Sequence, residues 1–336
     1  MLLEPPPTAR GSDFAQLSRR IVQVGLLDPR PRYYLIRIGC VAAAYLGSWA
    51  AFVALGDSWY QIIVAAVLAV VFAQVALVAH DIAHRQVFRT RRPSEIAGLL
   101  AGNLGIGMSY GWWMDKHTRH HANPNHEELD PDVAPDILVW STDQARKSRG
   151  FARLIGGRQA FLFFPLLLLE GLNLHVSSAR ALRRPTLKHR AAEAALLVTH
   201  LIGYTAAVFA VLPPGKAIAF IAVHQGLFGL YLGCTFAPNH KGMPMATDDL
   251  DYLRKQVLTS RNVSGGRFLD LALGGLNHQI EHHLFPNMPS PNLRLAQPIV
   301  RQFCAEIGVP YQQSGLAASY GQALRHLHRA GAPLRR

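Results

Sequence analysis

Four long apolar runs constrain the fold of this chain more than any other feature of its sequence. A helix rises about 1.5 Å per residue, so about 20 apolar residues match a hydrocarbon core of about 30 Å. The chain is also 50% hydrophobic and only 16% charged, which is typical of membrane proteins. The sequence therefore predicts four transmembrane helices, at Ile38 to Gly56, Tyr60 to Ala79, about Ala194 to Leu212 and about Ala217 to Ala237.

Two very short breaks group these helices into hairpins. The breaks are Gly56-Asp57-Ser58 and Pro213-Pro214-Gly215-Lys216, and together they contain one lysine and no arginine. Nearly all the other positive charges lie in the remaining segments, which the positive-inside rule assigns to the cytosol. The two turns are therefore predicted to lie outside the cell, and the ends that carry histidine motifs are predicted to lie on the cytosolic side.

Two further apolar segments are less suited to crossing a bilayer. Ile96 to Met114 contains five glycines and an asparagine, which favours a segment at or dipping into the interface. Ala160 to Leu174 is short and contains Pro165, so we expect it to be interfacial or buried. Residues 122–158 are polar and are predicted to form a cytosolic loop or cap.

Charge and cysteine content narrow the possible partners. The formal net charge is +13, and the positive residues lie beside hydrophobic segments, which favours an anionic membrane surface over nucleic acid. Three widely spaced cysteines give no disulfide framework. We divide the chain into a cytosolic lead-in (1–32) without a signal-peptide core, a membrane domain with a cytosolic cap (33–310) and a basic C-terminal tail (311–336).

Histidine motifs lie at the predicted cytosolic ends of these segments. His80 and His84 form HxxxH, residues 117–121 form HxxHH, His240 follows the fourth span, and residues 279–283 form QxxHH. On helices these spacings place the side chains of each motif on one face. Since all the motifs fall on one side of the membrane, we expect them to meet.

The chemistry of these side chains predicts a metal centre. Histidine is the commonest protein metal ligand, and eight imidazoles exceed the four that a mononuclear tetrahedral site would take. Eight or nine neutral nitrogen ligands fit two iron ions with open positions for a small ligand. The remaining histidines are predicted to be solvated, capping or interhelical hydrogen-bonding residues, namely His126, His175, His189, His200, His224, His326 and His328.

The sequence lacks the motifs of other metal and cofactor sites. The sequence contains no HExxH, which a zincin would require, and no ExxH, which a carboxylate-rich di-iron bundle would require. Gly105-Ile106-Gly107 is not followed by the spacing of a dinucleotide-binding loop.

The combined pattern resembles the membrane fatty acid desaturases over roughly residues 35 to 310. Gln279-Ile280-Glu281-His282-His283-Leu284-Phe285-Pro286 is similar to the last histidine box of front-end and bacterial acyl-lipid desaturases. Ala237-Pro238-Asn239-His240-Lys241-Gly242-Met243, His121-Ala122-Asn123-Pro124-Asn125 and Asp130-Pro131-Asp132 are also similar to this group. The resemblance implies a di-iron centre bound by His80, His84, His117, His120, His121, His240, His282 and His283, with Gln279 where relatives have a ninth histidine.

Two departures from the family pattern bear on the site and on its electron supply. His278 stands beside Gln279, and the sequence leaves open which of the two side chains faces the metals. Many eukaryotic front-end desaturases carry a fused cytochrome b5 domain with a His-Pro-Gly-Gly motif, which this sequence does not contain. The expected electron donor is therefore a separate protein, such as a ferredoxin or a cytochrome b5-like protein, for which the basic cytosolic face offers charge complementarity.

We thus expect an all-α membrane protein with four transmembrane helices in two hairpins, interfacial helices and a cytosolic helical cap that holds a di-iron site. The resemblance implies O2-dependent desaturation of a fatty acyl chain linked to CoA, a carrier protein or a lipid. We also expect a bacterial cytoplasmic membrane location with the active site on the cytosolic side. An acyl or alkyl hydroxylase using the same centre is the alternative enzyme, and a histidine-rich metal transporter is the alternative outside catalysis.

Overall fold

The computed structural model describes residues 12–335, so residues 1–11 of the predicted lead-in and Arg336 of the predicted tail lie outside the described part. Within it the regular secondary structure is almost entirely helical. The α-helices are α1 (Asp13–Gln23), α2 (Pro31–Leu55), α3 (Gln61–Ala83), α4 (Arg91–Leu99), α5 (Tyr110–Ala122), α6 (Thr142–Lys147), α7 (Gly150–Gly156), α8 (Gln159–Leu167), α9 (Glu170–Ala181), α10 (Arg190–Val211), α11 (Pro214–His240), α12 (Tyr252–Leu258), α13 (Arg267–Ala272), α14 (Gln279–Leu284), α15 (Ser290–Glu306) and α16 (Leu316–Ala330).

Among the residues described, four helices are long and apolar enough to cross a membrane, namely α2, α3, α10 and α11. This confirms the predicted all-α membrane fold. The bounds differ from the apolar runs, because α3 continues to Ala83 and α11 to His240, beyond the last apolar residues. The spanning helices themselves therefore carry the first histidine motif and His240 to the membrane surface.

The turn between α2 and α3 is closed by a buried glutamine. Gly56 ends α2 with φ of 58°, a left-handed conformation that glycine adopts without strain. The Gln61 side-chain amide donates to the main-chain oxygens of Phe52 (2.7 Å) and Gly56 (2.9 Å), which α2 leaves without helical partners. Lys216 in the second hairpin lies 2.7 Å from Asp57 in the first turn, so the two turns contact each other.

The glycine-rich segment after α3 does not form one continuous helix. α4 passes into a π-helix at Leu100–Gly105, and an irregular stretch leads to α5. Gly107 lies in this stretch with φ of 68°, and a Cβ there would be 2.5 Å from the His200 ring. Close packing and a left-handed residue thus prevent a straight span.

The second short apolar segment forms a bent pair of helices. α8 and α9 meet at an angle of 73°, and the pair is long and apolar enough to be either a broken span or a re-entrant segment. α9 packs on α11, where Gly171 and Gly229 allow close backbone contact, since a Cβ on Gly229 would lie 2.4 Å from the Gly171 nitrogen. The bent pair therefore braces the second hairpin.

The remaining helices form a cap at the end of the spans where the histidines lie. α1, α12, α14 and α15 share a buried apolar cluster that includes Leu17, Ile280, Leu293 and Phe303. Two three-residue strands, β1 (Asn262–Ser264) and β2 (Gln313–Gly315), pair in parallel with Val263 opposite Ser314. All six residues of the short helix α14 are buried within this cap, which fixes the position of the last histidine motif.

Candidate metal centre

Four helix segments bring their histidines to one place at the membrane surface. His80 lies in the last turn of α3 and His84 caps it, and His240 is the last residue of α11. α5 carries the HxxHH motif and α14 the QxxHH motif. All eight histidines that the sequence singled out meet at this point, and they form two groups.

The first group contains five histidines whose ligating nitrogens all lie within 4.8 Å of one another. The Nε2 atoms of His84 and His117 are 2.8 Å apart, those of His117 and His121 3.1 Å, and those of His121 and His282 3.2 Å. His80 completes the group. Two nitrogens bound at right angles to a metal at about 2.1 Å would be about 3.0 Å apart, so the spacing fits the edges of a coordination shell.

Hydrogen bonding alone does not account for this row of imidazoles. His117 Nε2 and His121 Nε2 each have two Nε2 neighbours, yet a neutral ring nitrogen offers either one proton or one lone pair. Both ring nitrogens of His80 are buried without a hydrogen-bond partner among the described residues. Since buried polar atoms are normally satisfied, a shared metal ion fits this donor set.

The second group contains His120, His240 and His283. In each, Nδ1 lies close to a hydrogen-bond acceptor: the Asp130 carboxylate at 2.9 Å, the Thr259 main-chain oxygen at 3.1 Å and Gln256 Oε1 at 2.9 Å. Donation of the Nδ1 proton to these acceptors leaves the Nε2 lone pair for a metal. This arrangement of ligand and hydrogen-bonded partner is common in protein metal sites.

Gln279 and His278 point in different directions. Gln279 Nε2 lies 2.9 Å from His240 Nε2, so its carboxamide faces the second group. His278 Nε2 lies 3.2 Å from Asp270 Oδ1, away from the other histidines. In the structure it is therefore Gln279, and not His278, that lies beside the candidate metal positions.

Burial favours the neutral form of most of these imidazoles, which is the form that binds a metal. It lowers the pKa of His117, His121, His282 and His283 well below the usual value, and the neighbouring imidazoles lower the pKa further. For His120, burial also lowers the pKa, but the carboxylates of Asp132 and Asp130 outweigh it and raise the pKa overall.

The sequence did not assign a role to the residues that orient the second group. Asp130 belongs to a motif that the family resemblance singled out, but nothing in the spacing shows that its oxygens accept from His120 and from the main-chain nitrogens of Asn125 (2.7 Å) and Asp132 (2.8 Å). Gln256 is 27 residues before His283 and has no sequence signal. Both residues are buried.

The histidines predicted to lie outside the site have other contacts in the structure. His224 Nδ1 is 2.8 Å from the Tyr204 hydroxyl on the neighbouring span, and His200 Nδ1 donates to the Leu104 main-chain oxygen at 2.8 Å. His175 donates to the Gly107 oxygen, and His126 pairs with the exposed Asp248.

Fold and site together define a class of protein: an all-α membrane protein with a candidate two-metal site built mainly from histidines. The pattern of the fatty acid desaturase family matches residues 57–315, about three quarters of the chain. The chain therefore belongs to the fatty acid desaturase family.

The chain is similar to several curated desaturases. It is 29% identical over 336 residues to an acyl-lipid (9-3)-desaturase of Physcomitrium patens, covering 97% of this chain and 63% of the relative. It is 29% identical to fatty acid desaturase 3 of Bos taurus, covering 97% of this chain and 74% of the relative. It is 28% identical to a Delta(6)-fatty-acid desaturase of Caenorhabditis elegans, with coverages of 94% and 74%.

Proposed function

We propose that this protein carries out O2-dependent desaturation of a fatty acyl chain at a di-iron centre. The observation that carries the proposal is the joining of all eight motif histidines into two adjacent groups in a member of this family. One iron would be held by His80, His84, His117, His121 and His282. The second would be held by His120, His240 and His283, with Gln279 beside it.

When bound, the two irons would supply the activation of O2 and the removal of two hydrogens from adjacent methylenes. The chain's own residues fix the ligands. Asp130, Gln256 and the Thr259 main-chain oxygen hold the Nδ1 protons and present Nε2 to the metal. Trp113 stacks on the His117 ring at 4.4 Å between centroids and restricts its rotation.

The same packing excludes water, and an apolar cluster lies between the two hairpins. His282 and His283 are 1% and 0% exposed, so the oxidising chemistry would take place away from bulk solvent. A buried apolar cluster between the two hairpins, including Phe72, Met108 and Phe228, reaches the membrane side of the histidines. We propose that the acyl chain is positioned next to this cluster, where most of the side chains around its methylenes are apolar.

The proposal also covers the acyl carrier, the electron donor and the side of the membrane on which the centre lies. Relatives include an acyl-lipid desaturase, and a substrate linked to a lipid, CoA or a carrier protein would share the same acyl chemistry. Two electrons would come from a redox carrier such as a ferredoxin or a cytochrome b5-like protein. The centre would lie on the cytosolic side, since arginines cluster at the membrane face where the histidines meet.

Loss of a ligand from the second group tests the proposal. His120→Ala and His283→Ala should abolish formation of the unsaturated product and lower the iron content, measured on purified full-length protein with and without an added electron donor. His328→Ala, an exposed histidine outside both groups, should change neither. Full activity with intact iron in both ligand variants would refute the site.

Mass spectrometry of the product tests the reaction itself. A desaturase product has two hydrogens fewer than the substrate, whereas a hydroxylase product has one oxygen more. Double-bond localisation in the lipids of a host that expresses the chain would identify the carbon atoms involved. Hydroxylated product alone would refute desaturation and leave the metal site intact.

A further inference from the structure

A cavity of about 590 Å³ lies beside the candidate metal centre but on the other side of helix α5. On α5, Trp113 and the HxxHH histidines face the metal groups. Gly111 and Asp115 line the cavity instead, from the opposite side of the helix, and Met114 also lines it. None of the eight histidines of the candidate metal centre lines the cavity, so the cavity is a site separate from the one described above.

Four cationic side chains line the cavity: Arg85, Arg91, Arg184 and Lys188. Arg91 and Lys188 share one carboxylate, that of Glu95, at 2.8 and 2.7 Å.

Carboxylates do not fully neutralise the other two cations. Arg85 directly follows the first histidine motif in the sequence, and its side chain is exposed. It forms no ion pair among the described residues. In the described part of the chain, Arg184 pairs only with Asp115, at 4.0 Å, and Asp115 also pairs with Arg119 at 3.2 Å.

The third carboxylate of the cavity does not neutralise these arginines. Glu193 is 1% exposed and accepts hydrogen bonds from the Ser109 hydroxyl (2.5 Å), the Asn103 amide (3.0 Å) and the Gly111 nitrogen (3.2 Å). It is held within the protein by these donors. Arg85 and Arg184 are thus available to an anionic ligand.

The cavity also has an apolar side that is continuous with the lipid-facing surface. Leu99, Trp112 and Leu187 line it together with the charged residues. The elements that form its wall continue as exposed apolar faces, with Ile96 and Leu100 about half exposed on α4 and its π-helical extension, and Val198 half exposed on the spanning helix α10. A ligand that fits both parts is an amphiphile with an anionic head.

We propose that this cavity binds the phosphate-bearing headgroup of a bilayer phospholipid, with its acyl tails along the exposed faces of α4 and α10. Arginine recognises phosphate through its fork of N–H donors, and the cavity lies at the membrane surface where phospholipid headgroups are found. A lipid there would bridge α4, α5 and the segment between α9 and α10. It would support α5 from the side opposite the histidines.

The test uses full-length, delipidated protein in detergent, titrated with phosphatidylglycerol and read by native mass spectrometry as bound lipid per chain. A basic residue near an anionic lipid surface contributes about fivefold to binding, so Arg85→Gln with Arg184→Gln should weaken binding by about 25-fold. Arg149→Gln with Arg153→Gln removes the same charge from exposed positions on α7 and should change binding by less than about twofold.

A second variant keeps every charge. Thr186→Trp places a large ring in the cavity and should also lower lipid occupancy, so the proposal does not depend on the folding of the arginine variant alone. Equal lipid binding in wild type, the arginine variant and Thr186→Trp would overturn the proposal. Displacement of the lipid by millimolar inorganic phosphate would overturn the lipid assignment in favour of a soluble phosphate. Neither result depends on product formation, so the proposed desaturation is tested independently.

Discussion

Replacing Asp130 by asparagine tests whether the residues around the second histidine group set its affinity for metal. Both Asp130 oxygens are used as acceptors: Oδ2 takes the Asn125 nitrogen at 2.7 Å, Oδ1 takes the Asp132 nitrogen at 2.8 Å, and both lie about 3 Å from His120 Nδ1. Every neighbour in these contacts is a donor. An asparagine would therefore turn its own NH2 group toward an N–H.

The size of the effect follows from this geometry. An unsatisfied buried donor costs about 1 to 3 kcal/mol of the free energy of unfolding. Loss of the carboxylate also removes the acceptor and one of the two charges that hold the proton on His120 Nδ1, and changes of this kind lower metal affinity by about 10- to 100-fold. We expect Asp130→Asn to lose iron to a competing chelator at a correspondingly lower chelator concentration.

The assay measures iron per chain by elemental mass spectrometry across a chelator titration. Asp248→Asn is the matched control, because Asp248 also pairs with a histidine, His126 at 3.1 Å, but is 93% exposed. It should change stability by about 0.5 kcal/mol or less and leave iron binding unchanged. A double-mutant cycle with His120→Ala separates the two effects, since Asp130→Asn should add little to the iron loss once His120 is gone. Iron affinity of Asp130→Asn within twofold of wild type would refute the reasoning.

Three further tests address other parts of the structure. Gln279→Leu should lower iron content while His278→Ala preserves it, because only Gln279 faces His240; the reverse outcome would show that His278 is the ligand. Gly107→Ala should destabilise the protein by several kcal/mol, because Gly107 has a φ of 68° and lies against the His200 ring. Gly203→Ala is the control: Gly203 is in a helix with open space around it, so alanine should stabilise the protein by about 0.5 to 1 kcal/mol. Thermal unfolding measures both effects. Removal of iron with a chelator should lower the melting temperature, and adding Fe(II) but not Mg²⁺ should restore it; an unchanged melting temperature would argue against a bound metal.

The sequence predicted the spans and the histidine motifs because both are local patterns, and the charge distribution placed the motifs on one side of the membrane. Apolar runs of about 20 residues and motifs at helical spacing are visible without knowledge of the fold. The helix ends were less predictable. α3 runs four residues beyond Ala79, since the polar residues that follow are buried by the cap rather than exposed to water.

The division of the histidines into two groups could not be read from the sequence. HxxHH places three side chains within about one helical turn, but the spacing does not show that His117 and His121 belong to one group and His120 to the other. That division depends on the direction from which α11 and α14 approach α5. It is a property of tertiary packing, as are the contacts of Asp130 and Gln256, which come from segments with no metal-binding pattern.

The two groups differ in what holds their ligands, and this difference bears on how the site forms. In the second group each Nδ1 has an acceptor supplied by the fold, so the Nε2 lone pairs are already directed before a metal binds. In the first group His121 Nδ1, His282 Nδ1 and both nitrogens of His80 are buried without partners among the described residues. Bringing such imidazoles together in a buried place costs free energy that the protein's own hydrogen bonds do not offset. A metal bound to the first group would offset this cost, whereas the second group is prepared by the protein itself. We therefore expect metal binding at the first group to be coupled more tightly to the packing of α3, α5 and α14 than metal binding at the second.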